Sequence, residues 1–379
     1  MTGREKIEAA FSPGGAGEIP AVICYEGIYY RDRWDELTGC PWWYALSHDV
    51  DHQRQWRCRA IERVGQDWFH LPLCRSREDR EHVFLETRAG SVFERDDRTG
   101  REERIERPVV AGWSPAGEMA SVHPERIAET AKEIDLVIPL PPYSGPERIA
   151  QQGRNDLAVE LLEGCGFDLY PIGHVASPFW RLYSLWGFEG MMTMVASRGD
   201  LVKHAVSRSL TLAIRQVKDC AALGAAGIWI EECLTDMISP AAYAEFNAPA
   251  LKELVGAIHA AGMKAIYYYC GNPAGRWDHL FSVGADALSL EESKKGWTVD
   301  IEEVVERANG RCAVLGNLDA INLLPRATES DLAAEIGRQI AAGRKNGSRF
   351  IMSIGSPVTP GTPLSQVRLY CDLVHKLGS

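Results

Sequence analysis

The hydrophobic positions along the chain form eight short apolar runs, each with a turn signal or polar residue near its end. Runs of this length are typical of buried parallel strands. Long amphipathic stretches separate the later runs, so strand and helix patterns alternate regularly from residue 165 onward. The predicted strands are residues 19–27, 66–73, 167–175, 227–232, 264–270, 286–292, 312–319 and 350–355.

This alternation favours a parallel sheet with right-handed crossovers. Because no GxGxxG motif follows the first strand, an α/β fold of the (β/α)₈ TIM-barrel type is favoured over a dinucleotide-binding sheet. Residues 83–108 have a period-two pattern and charged turns, which predict an inserted β-hairpin of two or three antiparallel strands after the second strand. We expect residues 1–379 to form a single domain, with hydroxyl N-caps at Ser239, Thr328 and Thr362.

Composition excludes several classes of protein. The 379 residues are 45% hydrophobic, which is enough to build a large core and excludes a disordered chain. A formal charge of −11 argues against a nucleic-acid partner. No apolar run reaches the length of a membrane-spanning helix, and the charged N-terminal segment differs from a signal peptide. We therefore expect a cytoplasmic protein without a membrane partner, whose ten cysteines are mostly buried thiols.

Candidate chemistry lies at the ends of the predicted strands, where catalytic groups of barrels gather. Alternation along the strands turns one set of polar and aromatic side chains toward the barrel interior. Thiolate and carboxylate groups suit zinc, so Glu231, Cys270 and Glu291 are candidate metal ligands. A buried thiol and helix-capping or arginine-paired carboxylates are the structural alternatives. The candidate catalytic residues are Glu26, His174 and Tyr268, and the candidate substrate-binding residues are Trp229, Asn272 and Asn317.

Five segments of the C-terminal half resemble the uroporphyrinogen decarboxylase superfamily. They are residues 227–249, 267–273, 284–292, 315–324 and 350–363. The sequence is most similar to the methyltransferase branch, the methylcobalamin:coenzyme M methyltransferases and related corrinoid-dependent enzymes. This resemblance implies a (β/α)₈ barrel with its cleft at the carboxyl ends of the strands.

In that branch zinc is held by a His-x-Cys motif, a glutamate and a later cysteine. Cys270 matches the cysteine of His-x-Cys and Glu291 matches the glutamate, but Tyr268 replaces the histidine and Ser356 stands near the later cysteine position. Glu231 is the residue that can compensate, which would shift the site toward oxygen ligands.

The resemblance implies a methyltransferase that moves a methyl group between a small methylated substrate and a corrinoid cofactor on a partner protein, assisted by zinc. His174 and Tyr268 would then bind the substrate or transfer protons. One alternative is a decarboxylase of tetrapyrrole metabolism, although carboxylates at the mouth would repel a polyanionic substrate. The other is a non-catalytic barrel that binds a corrinoid or a tetrapyrrole.

Overall fold

The structure is a computed structural model that describes residues 1–107, 124, 127–293 and 296–379. Within these ranges it contains ten strands in two sheets. In chain order they are β1 Trp68–His70, β2 Val83–Arg88, β3 Ser91–Asp96, β4 Arg101–Ile105, β5 Tyr170–Ala176, β6 Gly227–Glu232, β7 Lys264–Tyr269, β8 Ala287–Leu290, β9 Ala313–Leu315 and β10 Phe350–Ile351.

Seven of the strands form one curled parallel sheet in the order β1-β5-β6-β7-β8-β9-β10. Six of these strands lie within segments predicted from the apolar runs, and β5 extends one residue beyond its predicted segment. Strands that neighbour each other along this part of the chain are also neighbours in the sheet, as repeated β-α-β units require. The α/β class and the parallel sheet predicted from the sequence are therefore confirmed.

Helices cover the outer face of this sheet and account for most of the remaining described chain. In chain order they are α1 Gly3–Phe11, α2 Glu26–Asp32, α3 Trp34–Thr38, α4 Val50–Val64, α5 Arg77–His82, α6 Ala131–Val137, α7 Glu147–Gln151, α8 Asp156–Cys165, α9 Leu182–Ser197, α10 Gly199–Leu223, α11 Pro240–Ala242, α12 Ala248–Ala260, α13 Trp277–Ser282, α14 Ile301–Ala308, α15 Glu329–Lys345 and α16 Leu364–Leu377. A π-helical turn, Tyr243–Asn247, joins α11 to α12.

The first predicted strand, residues 19–27, is not a strand, which corrects the prediction of eight. Its Ala21 forms a single parallel bridge with Met352, next to β10. On the other side the Asp67 amide, next to β1, donates to the Ala21 carbonyl at 2.8 Å. The segment therefore lies at the eighth position, bonded to residues beside both edge strands. Tyr25 then adopts a left-handed conformation (φ 55°), and α2 begins at Glu26 instead of a strand continuing.

Residues 83–105 form the second sheet, in the order β2-β3-β4, after β1. Both pairs of neighbouring strands are antiparallel, with Val83 opposite Asp96 and Val92 opposite Ile105. The β2–β3 turn places Ala89 and Gly90 at positive φ, a backbone geometry suited to tight hairpin turns. Residue 108, at the end of the segment predicted as an insertion, lies outside the described residues.

Capping residues account for where several helices begin. The Ser239 hydroxyl accepts a hydrogen bond from the Ala242 amide at 3.1 Å, and the Thr328 hydroxyl accepts one from the Asp331 amide at 3.2 Å, so both predicted caps are confirmed. The third prediction is wrong, because the Thr362 hydroxyl contacts the Thr359 hydroxyl and α16 begins after Pro363. Among the described residues, no helix is long and apolar enough to cross a membrane.

Candidate functional site

An aromatic layer fills the interior of the curled sheet. The ring of Trp229 on β6 stacks on Tyr268 of β7 with centroids 5.0 Å apart, and meets the edge of Trp68 of β1 at 5.7 Å. The neighbouring Tyr267 and Tyr269 lie on the opposite face of β7, toward the helices. The alternation predicted for β6 and β7 is therefore confirmed, and Trp229 is a packing residue of this layer.

The ring of Tyr25 packs against this aromatic layer. Its ring centroid lies 5.3 Å from that of Tyr268, 5.8 Å from Trp229 and 6.5 Å from His174, each in an edge-to-face arrangement. Its positive φ costs roughly 1–3 kcal/mol for a residue with a side chain, and such strain is typical of functional sites. The sequence gives no signal for this conformation, so the role of Tyr25 could not be predicted.

His174 lies between two carboxylates at the carboxyl end of β5. Its Nδ1 atom is 3.5 Å from Oε1 of Glu231, and its Nε2 atom is 4.0 Å from Oε2 of Glu26. The strand register causes the first contact, because β5 and β6 pair His174 with Trp229 and Ala176 with Glu231. Burial lowers the pKa of His174, but hydrogen bonding to Glu231 and the charges of Glu26 and Glu231 outweigh it and raise the pKa above its usual value.

The carboxylate of Glu26 is buried without hydrogen bonds from the described residues. It is 2% exposed, and neither carboxylate oxygen has a hydrogen-bond partner among the described residues. Burial raises the pKa of Glu26, and the nearby charges of His174 and Arg57 oppose that rise. An unpaired buried carboxylate costs several kcal/mol, and such groups are found at sites that bind something else.

Glu26 and His174 line one cavity of about 360 Å³. Two further residues of its wall, His70 at the end of β1 and Arg57 on α4, were missed by the sequence analysis. Burial, with the charges of His174 and Arg57, lowers the pKa of His70 far below its usual value, so His70 is neutral at neutral pH. Burial also lowers the pKa of Arg57 to about 10, which leaves it charged. An arginine within an ordinary charged helix gives no sequence signal for this position.

The predicted metal ligands do not form a metal site. No group of three or more His, Cys, Asp and Glu side chains in the described part of the chain is arranged to hold a metal ion. The Glu231 carboxylate contacts His174, whose Nδ1 atom lies 3.5 Å from Oε1. The Tyr25 hydroxyl lies close enough to Glu231 and Cys270 for their charges to add to the larger effect of burial in raising the pKa of Tyr25. The residues present therefore do not fit the zinc ion that the resemblance implies.

Three other predicted site residues bond to the protein itself. The Tyr268 hydroxyl donates to the Gly355 carbonyl at 3.0 Å, and burial raises its pKa far above the neutral range. The Asn317 amide donates to the carbonyl oxygens of Glu291 and Val299 at 3.2 and 2.9 Å. Asn272 closes its own turn, with its side-chain oxygen accepting from the Ala274 amide at 3.0 Å. These contacts indicate structural roles for the three residues.

Glu232 follows Glu231 on β6 and points to the opposite face of the sheet. The sequence analysis did not single it out. Its side chain is fully buried on the helix side of the sheet. The Ser177 hydroxyl donates to its Oε1 at 2.8 Å, the Asn247 amide donates to its Oε2 at 2.6 Å, and the Tyr267 hydroxyl lies 3.4 Å from Oε2. Burial raises the pKa of Glu232 to about 8, although all three of these hydrogen bonds oppose the rise.

The curled parallel sheet, with a cavity at the carboxyl ends of its strands, defines an α/β-barrel-like fold. The family described as uroporphyrinogen decarboxylase (URO-D) matches residues 158–377, more than half of the chain, so the chain belongs to this family. The chain is 31% identical over 211 residues to the uroporphyrinogen decarboxylase of Anaeromyxobacter sp. (strain Fw109-5) and 26% identical over 215 residues to that of Neisseria meningitidis serogroup C (strain FAM18). These alignments cover 54% of this chain and 58% of each relative.

Among solved structures, a methyltransferase from Methanosarcina mazei superposes with a TM-score of 0.68. The superposition covers 99% of both chains at 16% sequence identity. At this identity the likeness shows a shared fold over the whole chain.

Proposed function

We propose that the protein is a methyltransferase that moves a methyl group from a small methylated substrate to a corrinoid cofactor carried by a partner protein. The observation that carries this proposal is the cavity of about 360 Å³ with the unpartnered Glu26 carboxylate and the His174 imidazole in its wall. This volume is at the lower end of the range for small-molecule sites. The similarity of the whole fold to a methyltransferase supports the same reaction class.

The chain's own residues would bind the substrate and manage a proton. A bound reduced corrinoid supplies the nucleophile for the methyl carbon. When the bond between that carbon and the substrate heteroatom breaks, its electron pair stays on the heteroatom, which then needs a proton unless it was cationic. His174 is oriented by Glu231 at Nδ1, while its Nε2 has no hydrogen-bond partner among the described residues. The Nε2 proton is therefore placed for transfer to the leaving heteroatom. Zinc has no part in this proposal.

The test is a screen of methyl donors against free cob(I)alamin, with methylcobalamin formation followed by absorbance. We expect His174→Gln to lower kcat at least about 100-fold, the contribution usual for a general acid. His82→Gln, at the exposed C-terminal end of α5, is the matched control and should keep full activity. If no donor reacts while the protein binds cobalamin tightly, a non-catalytic corrinoid-binding barrel replaces the proposal.

A second candidate function, decarboxylation of a tetrapyrrole, is favoured by the names of the relatives. The charges at the cavity oppose it, because Glu26 and Glu231 both lie within 4.0 Å of His174 and would repel a substrate with many carboxylates. Release of CO₂ from uroporphyrinogen by the purified protein would establish this second function.

A further inference from the structure

The wall of the cavity carries two opposite charges that no hydrogen bond joins. Glu26 and Arg57 both line its wall, yet neither Glu26 oxygen accepts a hydrogen bond from Arg57 or any other described group. The Nε atom of Arg57 is also buried without a partner within the described residues. An unsatisfied acceptor and an unsatisfied donor thus lie in one enclosed space. Each lowers the stability of the empty site unless a ligand compensates.

Arg57 is held in a fixed position. Its guanidinium lies over the Trp56 ring at 4.3 Å, and one terminal nitrogen donates to the Gln53 side chain at 3.4 Å. A stacked, planar guanidinium with a free edge suits a carboxylate, which it binds through two parallel hydrogen bonds. The Arg57 end of the cavity is therefore selective for an anion.

Much of the remaining cavity wall is apolar or aromatic. Tyr25, Tyr30, Ile28 and Ile61 are among its lining residues. Aromatic faces attract cations that carry methyl groups, and a nearby carboxylate strengthens that attraction. The Glu26 end is therefore suited to a methylated cation.

We propose that the methyl donor is a small N-methylated amino acid, a zwitterion whose ammonium group lies against Glu26 and whose carboxylate binds Arg57. This inference rests on the proposed function and names the class of its substrate. The ammonium group would meet carboxylate oxygens without a hydrogen-bond partner among the described residues, and the carboxylate would meet a guanidinium whose Nε atom has none.

The reaction of such a donor balances with the residues present. The bond between the methyl carbon and nitrogen breaks as the bond to the acceptor forms, and the electron pair stays on nitrogen. A quaternary ammonium donor leaves as a neutral amine and needs no proton. A tertiary amine donor is already protonated in its zwitterionic form, so it leaves as a neutral secondary amine and also needs no further proton. A neutral leaving amine requires no Lewis acid to carry away negative charge.

The test measures binding by calorimetry, independently of methyl transfer. Glycine betaine is compared with two single-charge analogues, 3,3-dimethylbutyrate without the cation and choline without the carboxylate. We expect glycine betaine to bind the wild-type protein at least about ten-fold more tightly than either analogue. Glu26→Gln should remove the preference over 3,3-dimethylbutyrate, and Arg57→Gln should remove the preference over choline. Glu36→Gln and Arg54→Gln, which lie outside this cavity, are the matched controls.

The comparison of ligands on the wild-type protein does not depend on whether a variant folds. Equal binding of glycine betaine and an analogue, or no binding of glycine betaine, overturns the inference. Betaine binding with the expected preferences and no methyl transfer supports the zwitterion site and overturns the proposed function. Methyl transfer from an uncharged donor, with no zwitterion bound, supports the function and overturns the inference.

Discussion

Glu26 and Glu232 are both buried carboxyl groups near the carboxyl ends of the strands, but their surroundings differ completely. Glu232 is held by Ser177, Asn247 and Tyr267, whereas Glu26 has no hydrogen-bond partner among the described residues. A fully bonded buried carboxyl stabilises the fold around it, while an unbonded one lowers stability until a ligand binds. The comparison separates a structural acid from a functional one within a single barrel.

The largest expected effect concerns activity. Glu26→Gln should lower kcat/KM for methyl transfer about 100-fold, because it removes the negative charge beside His174 and the substrate cation. Glu232→Gln should change kcat/KM less than about three-fold, since Glu232 lies on the helix side of the sheet. Steady-state assays on both variants check this. Equal losses would mean that the two acids do not have separate roles.

The second effect concerns stability, where we expect the larger loss from replacing Glu232 and not Glu26. Glu232→Ala should lower the free energy of unfolding by about 3 kcal/mol, because it leaves the Ser177 hydroxyl and the Asn247 amide unpaired beside a new cavity. Urea denaturation measures the change. Val159→Ala, at an exposed position of α8, is the control and should change stability by less than about 0.5 kcal/mol. A loss below about 1 kcal/mol for Glu232→Ala would contradict a structural role.

The third effect is a gain in stability. Glu26→Gln should raise the free energy of unfolding by about 1 kcal/mol in the absence of ligand, because a neutral amide costs less to bury than an unpaired carboxylate. The same denaturation experiment measures it. A destabilised Glu26→Gln variant would show that Glu26 is held by the protein after all.

The last expected effect is a pH dependence of the free energy of unfolding. The Glu232 carboxyl has a pKa of about 8 in the folded protein against 4.5 for a solvated glutamate, so between these values the native state keeps a proton that the unfolded chain has lost. This contribution to stability is fully present below about pH 4.5 and is lost as the pH rises through 8, by at most about 1.4 kcal/mol per pH unit. Subtracting the Glu232→Gln profile from the wild-type profile isolates this change. Parallel profiles would contradict the raised pKa.

The succession of short apolar runs predicted the parallel sheet, because such runs are typical of strands that are buried on both faces. It also predicted which side chains point inward, since Trp229 and Tyr268 follow simple alternation. The same rule failed at residues 19–27, where the left-handed turn at Tyr25 converts a predicted strand end into the start of α2. No local pattern distinguishes that turn from a continuing strand.

The site was predicted only in part, for a similar reason. His174, Glu231 and Glu26 were found because each lies at or near a predicted strand end. Arg57 could not be assigned, because α4 approaches the site through tertiary packing that one sequence does not encode locally. His70 lies near the end of the predicted strand 66–73, so the strand-end rule could have found it. The zinc prediction rested on strand parity, which gives the face of a side chain but not the contacts it makes. Glu231 has the predicted face and pairs with His174.

The irregular segment at the eighth position also carries part of the site. Ala21 and Val22 make the backbone bonds that join residues beside β1 and β10, and Glu26 follows four residues after Val22. Regular β-ladders join the other neighbouring strands of the sheet. The backbone hydrogen bonds of Ala21 and Val22 are therefore expected to break most readily by local unfolding, and amide exchange should be fastest there. A ligand bound at Glu26 would slow that exchange by suppressing local opening of these backbone hydrogen bonds. Substrate binding would then be coupled to the local stability of the sheet at this position.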